Sequence, residues 1–363
     1  MRTLVVDDSA FQRMQIGEAL ASLPSVKSVD AASSGEEAIR KLLSGAFDLV
    51  TLDVEMPGID GLAVLRWVMA NRPMPVLVIS SLRGERLAIQ ALELGACDVV
   101  SKPVARDGMD AFRARLAVAV AEAGEARADL LARRGIPPPE RKPTPQPGGP
   151  SDPRAGSRTA SAPVPSSGLA IVVAASTGGP SALRDLLTGL APIRQNPVFV
   201  AMAQHMPAPF TTSLAARLSA TTGWEVVEPG PGTEAVAGAA WLCPGGFHLA
   251  IGRAGGRSVA TLMADASQYR WTPSGDHLFA SAAALFGARA IAIVLTGMGD
   301  DGAEGAFAIA AAGGSVFAEG VETAVIPGMP DAASRRVKTT VRLPLPDLAR
   351  AVCERVSSLE TGL

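Results

Sequence analysis

Aromatic side chains are scarce, at 4% of 363 residues, with a single tyrosine and four tryptophans. That argues against a stacking platform for single-stranded nucleic acid. Excess charge of either sign is also missing. The 33 Lys+Arg and 35 Asp+Glu leave a formal net charge of −2, which gives no electrostatic footprint for nucleic acid or an anionic membrane. Only three cysteines occur, Cys97, Cys243 and Cys353, far apart and without paired spacing. A disulfide framework and a Cys-based zinc site are both disfavoured, and a reducing cytoplasm fits. Three histidines, His205, His248 and His277, leave few options for a histidine-rich metal site. Apolar stretches, such as 290–295, are strand-sized, far short of the roughly 20 residues that span a bilayer. The opening MRTLVVDDSA carries acids within its first eight residues and does not read as a signal peptide. What is present is ample apolar material, 48% of the chain, enough for packed cores. At roughly 100–200 residues per domain, the length suggests two domains or one large one.

The clearest shift in composition falls at 135–168, where ten of 34 residues are proline and Ile136 and Val164 are the only large aliphatics. Such a segment cannot bury enough apolar surface to offset its ordering entropy and reads as a semi-stiff spacer. Before it, short aliphatic strands alternate with helical spacing. Strands are expected at 3–6, 47–52, 76–80 and 97–100, helices at 10–22, 61–70, 84–94 and 107–134. After it the style repeats, with strands at 170–175, 198–203 and 290–295 and a helix from Pro180. The Gly-rich middle, 223–280, suits a hairpin or two. This alternation predicts an α/β protein of two doubly wound parallel-sheet domains. The expected boundaries are 1–120, a joining segment at 121–167 and 168–360.

In the first domain, Asp7 and Asp8 follow one strand, Asp53 follows another in LVTLDVEMPG, Ser80 and Ser81 end a third, and Lys102 in SKP ends a fourth. Ligands of an open parallel sheet bind beyond the carboxyl ends of its strands, so these residues are expected to converge. Three crowded carboxylates repel one another unless a cation sits among them, and Mg²⁺ suits an all-oxygen set. Asp53 can then attack a phosphoryl group, with Lys102 and a serine hydroxyl on the phosphoryl oxygens. The motifs VVDDSA, LDVEMPGIDG, SSL and SKP resemble those of response-regulator receiver domains. The resemblance implies Asp53 as phospho-acceptor and Asp7, Asp8, Asp53 and the carbonyl of Glu55 as the Mg²⁺ set. Ser80, 22 residues before Lys102, matches the hydroxyl that senses the phosphoryl group. Val99 stands where receivers often carry an aromatic switch residue.

The second domain opens with IVVAASTGGPSALRDLL. A strand runs straight into Ser176-Thr177-Gly178-Gly179, and Pro180 suits the first turn of a helix. A serine so presented can be a nucleophile, although the G-x-S-x-G pattern is absent, and the same turn can cradle an anion. The two readings are equally open on this motif alone. His205, in VFVAMAQHMP at the end of the next strand, tilts the reading toward catalysis. LTGMGDDG adds Asp300 and Asp301 in a third strand-end loop. Serine, histidine and acid at three strand ends can supply nucleophile, base and orienting carboxylate. Backbone N–H groups near Gly178 and Met298 can stabilise an oxyanion, an effect of about 2.7–4 kcal/mol per donor.

Together ASTGGP, QHMP, LCPGGFH, PSGDHLF, LTGMGDDG and GMP (328–330) resemble the CheB family of chemotaxis protein-glutamate methylesterases over essentially the whole chain. The resemblance implies Ser176, His205 and Asp301 as triad, and Thr177, Gly178 and Met298 as the oxyanion and substrate loops. It also implies hydrolysis of glutamate methyl esters on methyl-accepting chemoreceptors and deamidation of receptor glutamines. A chemotaxis histidine kinase is the implied phosphoryl donor, Mg²⁺ the receiver cofactor, and no cofactor is implied for the esterase. Two places differ from the family pattern. Trp271-Thr272 precede Pro273-Ser274 where a basic residue is frequent, and Pro327 precedes Gly328-Met329-Pro330 where an aromatic is common. The spacer and the two sites suggest that the receiver covers Ser176 until Asp53 is phosphorylated. The rival classes are a phosphate-gated binding module and a transcription factor. The effector half has no basic stripe to support the second.

Overall fold

The structure, a computed structural model, describes residues 1–81, 84–103, 108–126, 168–264 and 269–361. The proline-rich spacer at 135–167 and the last eight residues of the helix expected at 107–134 lie outside them. The first sheet comprises β1 (Arg2–Val6), β2 (Ser28–Ala32), β3 (Leu49–Leu52), β4 (Val76–Ser80) and β5 (Asp98–Ser101). The helices between and after them are α1 (Ala10–Ala21), α2 (Gly35–Ser44), α3 (Gly61–Asn71), α4 (Glu85–Glu93) and α5 (Gly108–Glu125). The strands are all parallel, in the order β2-β1-β3-β4-β5. That order reverses between β1 and β3, which places a ligand crevice beyond the ends of those two strands. Three helices are capped by side chains: Ser9 accepts from the Gln12 amide, Ser34 from Glu37 and Asp60 from Ala63.

The second domain holds β6 (Leu169–Ala175), β7 (Val198–Gln204), β8 (Glu225–Val227), β9 (Ala239–Leu242), β10 (Phe247–Ala254), β11 (Arg257–Ala264), β12 (Ala290–Val294), β13 (Ser315–Glu319) and β14 (Val341–Leu343). Its helices are α6 (Gly179–Gly189), α7 (Ala208–Thr222), α8 (Gly275–Phe286), α9 (Ala303–Ala311), α10 (Gly328–Arg336) and α11 (Leu345–Thr361). Seven strands form a parallel sheet, β14-β13-β12-β6-β7-β9-β8, and β10 and β11 form the expected hairpin. Every residue of β6, β7 and β12 is buried, as uninterrupted aliphatic runs in a sheet covered on both faces require.

The two domains pack against each other. One apolar cluster runs without a break from the receiver-like sheet through Leu92 of α4 to Leu183 and Leu187 of α6 and Phe210 and Leu214 of α7. Polar contacts flank it. Ser181 Oγ donates to the Leu92 carbonyl at 3.1 Å, Ser213 Oγ to Glu85 at 3.1 Å, and Arg217 pairs with Glu93 at 2.7 Å. All three cysteines are free. No described helix is long and apolar enough to cross a membrane.

Candidate active site

Three adjacent parallel strands, β12, β6 and β7, end side by side, and each delivers one of the residues singled out in the sequence. Ser176 leaves β6 with its amide bonded to the Thr296 carbonyl at 3.0 Å. Its own carbonyl accepts from the Gly179 amide at 2.7 Å and from Gln204 Nε2 at 3.0 Å, which closes the turn into α6. Gly178 sits at φ +77°, a conformation open to glycine, and a Cβ there would meet Val325 at 2.9 Å. His205 leaves β7 with its amide on the Ala175 carbonyl at 3.0 Å.

Asp301 closes the set. Its Oδ2 lies 2.7 Å from His205 Nε2 and accepts from the Gly275 amide at 2.6 Å. Its Oδ1 accepts from Ser274 Oγ at 3.0 Å and the Asp276 amide at 3.1 Å. The N-terminus of α8 therefore grips the carboxylate. Burial works against the Asp301 charge, but the His205 bond and the two amides outweigh it and hold the carboxyl below its ordinary value. With Nε2–H committed to the carboxylate, Nδ1 is the acceptor nitrogen, and it is buried without a hydrogen-bond partner among the described residues. Ser176 and His205 line one cavity of about 660 Å³ but do not hydrogen-bond each other. Nucleophile–base contacts are often loose before substrate arrives. Asp300, the other half of the pair, is exposed. Trp271 lies flat against the His205 ring, with centroids 5.3 Å apart and 13° between planes.

The opposite wall of this cavity belongs to the other domain, through Arg115, Val118 and Glu122 of α5. Glu122 is buried and accepts a hydrogen bond from Thr177 Oγ1, next to Ser176. The Gly178 amide, expected as an oxyanion donor, reaches the carbonyl of Cys97 at 3.3 Å. Burial pushes the Glu122 carboxyl above its ordinary value despite the Thr177 hydroxyl. Burial, with Glu122 nearby, pushes Asp98 up to about 8.

The first domain's predicted cluster also assembles. Carboxylate oxygens of Asp7, Asp8 and Asp53 lie within 4.8 Å of one another. Lys102 Nζ reaches Asp53 at 2.6 Å and Asp7 at 2.8 Å. Burial raises the Asp53 carboxyl above its ordinary value, against the pull of Lys102. Burial opposes the Lys102 charge too, but its bonds to Asp53 and Asp7 prevail and hold it above the usual range. Three converging carboxylates held by two strand ends fit a hard cation. Glu55 donates its amide to Asp53 Oδ1 at 3.0 Å, and its side chain accepts from Ser81 at 2.7 Å. Ser80 is buried, with Oγ on the Ser81 carbonyl at 3.2 Å. Met298 lies in the loop that follows β12.

Sequence reasoning missed Glu122, Ser274 and Trp271 as parts of the site. It left His248, Tyr269 and His277 without a role. In the structure Tyr269 Oη lies 2.8 Å from His277 Nδ1, and His248 Nδ1 accepts from the Ser274 amide at 3.2 Å, behind the turn that grips Asp301.

Fold and geometry together define a class: a receiver joined to an α/β domain with serine, histidine and aspartate gathered at its strand ends. Residues 3–112 match the response regulator receiver domain and residues 171–352 match CheB methylesterase. The protein-glutamate methylesterase/protein-glutamine glutaminase 3 of Geobacter sulfurreducens is 37% identical over 99% of this chain and 98% of its own. A Myxococcus xanthus protein-glutamate methylesterase/protein-glutamine glutaminase 1 is 38% identical over 96% of this chain and 95% of its own. The crystal structure of the Thermotoga maritima CheB methylesterase catalytic domain, 35% identical, covers 53% of this chain and 99% of that one, with a TM-score of 0.49. The chain belongs to the CheB methylesterase family.

Proposed function

We propose that this chain hydrolyses γ-methyl esters on glutamates of methyl-accepting chemoreceptors, releasing methanol, and deamidates receptor glutamines by the same attack. The observation that carries the reading is the sharing of one cavity by Ser176 and His205, with His205 tied to a buried Asp301. Ser176 Oγ attacks the ester carbonyl while its proton passes to His205 Nδ1. Asp301 keeps Nε2 protonated and balances the imidazolium. The N–H groups of Gly178 and Met298 receive the oxyanion. His205 then returns the proton to the leaving methanol, and water repeats the sequence on the acyl-serine.

Residues 1–120 act as the receiver and 168–360 as the catalytic domain, joined by 121–167. Asp53 is the phospho-acceptor, with a chemotaxis histidine kinase as donor and Ser80 and Lys102 on the phosphoryl oxygens. Asp7, Asp8, Asp53 and the Glu55 carbonyl would hold Mg²⁺, which neutralises phosphoryl charge when bound. Without phosphoryl the receiver and the start of the joining segment block the site chemically as well as sterically: Glu122 occupies Thr177, and Cys97 occupies the Gly178 donor. Phosphorylation shifts the population toward separated domains, with the cytoplasm as the place of action.

Methanol release from methylated receptor membranes tests the reading. Phosphorylated wild type should release methanol, and Ser176→Ala should lose orders of magnitude. If Ser176→Ala keeps its function, the alternative of a phospho-gated binding module stands instead.

A further inference from the structure

We propose that Trp271 is a positioning residue for the base, holding the plane of His205 and stabilising the cation it becomes; this rests on the hydrolytic reading above. The indole and imidazole rings are stacked nearly parallel. Among the described residues the His205 ring is otherwise hydrogen-bonded only at Nε2, by its bond to Asp301. A single bond there leaves the ring free to tilt about it, and tilting swings Nδ1 away from Ser176. A ring lying flat on the imidazole removes that freedom.

Trp271 also reaches the other side of the reaction. A Cβ built on Gly299 would lie 3.4 Å from the indole, and Gly299 adopts φ +93° immediately after Met298. One side chain thus packs on both the base and the loop of the candidate oxyanion donor. The guanidinium of Arg270 stands 5.1 Å from the indole centroid. Trp271 Nε1 is buried with no hydrogen-bond partner among the described residues. A buried indole N–H normally finds one, so packing against its neighbours, not a polar anchor, holds the ring here.

The chemistry gives the stack a direction. As the Ser176 Oγ–H bond breaks and Oγ bonds to the carbonyl carbon, the proton moves to Nδ1 and the imidazole becomes a cation. The negative face of an indole attracts that cation far more than it attracts the neutral base. The interaction grows toward the transition state, so it raises kcat more than it lowers KM.

The test uses the full-length chain, phosphorylated by a small-molecule phosphodonor, as wild type, Trp271→Leu, Trp271→Ala and Trp271→Phe. Methanol release is measured as kcat and KM, and the histidine ring protons are followed by NMR. The two non-aromatic variants should lose kcat on the order of tenfold with KM changed little, and the phenylalanine variant should recover most of it. In the same two variants the His205 ring resonances should lose their ring-current shift while those of His248 and His277 stay in place. The leucine variant fills space without a π face, which separates this role from simple packing. A leucine variant with kcat within about twofold of wild type overturns the proposal. So does a rise in KM at constant kcat, or a His205 resonance that does not move. Ser176→Ala in the same assay reports on the hydrolytic reading, so the two failures are distinguishable.

Discussion

The interdomain pair of Arg217 and Glu93 offers a quantitative handle on the closed state. Arg217 Nε lies 2.8 and 2.9 Å from the two Glu93 oxygens, and Nη2 lies 2.7 Å from Oε2. Arg217 is 48% exposed and Glu93 12%, so solvent screens much of the attraction. Exposed pairs contribute about 0.2–1 kcal/mol, and a forked geometry puts this one near the top of that range. Reversing one charge replaces the attraction by a repulsion of similar size, a change of about 1–2 kcal/mol. That multiplies the opening constant roughly five- to thirtyfold. Unphosphorylated Glu93→Arg and Arg217→Glu should therefore release methanol faster than wild type. The double exchange should return the rate toward wild type, and all four proteins should converge when phosphorylated. Raising the ionic strength should shrink the differences. Single reversals with unchanged basal rates, or a double exchange that stays fast, would refute the idea that this contact holds the receiver over Ser176.

Three further outcomes follow from the same geometry. Asp301→Asn sets a donor nitrogen among four donors, so it should lower the Tm and lose on the order of 10⁴-fold in kcat, read by thermal melting and methanol release. Asp98 lines the interdomain cavity, and its carboxyl rises from 3.8 to about 8 there. The folded chain thus holds this proton more tightly than the unfolded one, so its contribution to stability is complete below about 4 and is lost as pH rises through about 8. The Tm should therefore fall over that window, and Asp98→Asn should flatten the fall. Gly179→Ala would drive its Cβ into the Gln204 amide that holds the Ser176 carbonyl; a loss of about 1–3 kcal/mol should appear as a lower Tm together with lower activity.

What could be read from the sequence follows physical lines. Strands buried on both faces announce themselves as aliphatic runs, and in a parallel sheet a polar or Gly-rich residue just beyond such a run lies where ligands gather. Ser176, His205, Asp7 and Asp53 were visible for that reason. β2 was not, because its SVDAA faces solvent along most of its length and lacks the aliphatic signature. The three-residue β8 and β14 are too short to show a period. Asp300 and Asp301 were separable only by resemblance, since both sit in the same loop; burial and the grip of α8 distinguish them in space. Glu122 was hidden because an acid on an amphipathic helix reads as solvated, and its partner Thr177 lies 55 residues away in another domain. Trp271 showed only as a departure from a motif, and its contact with His205 exists only once the loop before α8 is folded.

The central claim is that Ser176 does the hydrolysis and that Asp53 decides when it can. The most direct measurement is the rate of methanol release from methylated receptor membranes, with and without phosphodonor, for wild type, Asp53→Ala and Ser176→Ala side by side. Wild type should be slow without the donor and fast with it, Asp53→Ala slow in both, and Ser176→Ala inactive in both. Release by Ser176→Ala, or stimulation that survives in Asp53→Ala, would contradict the account.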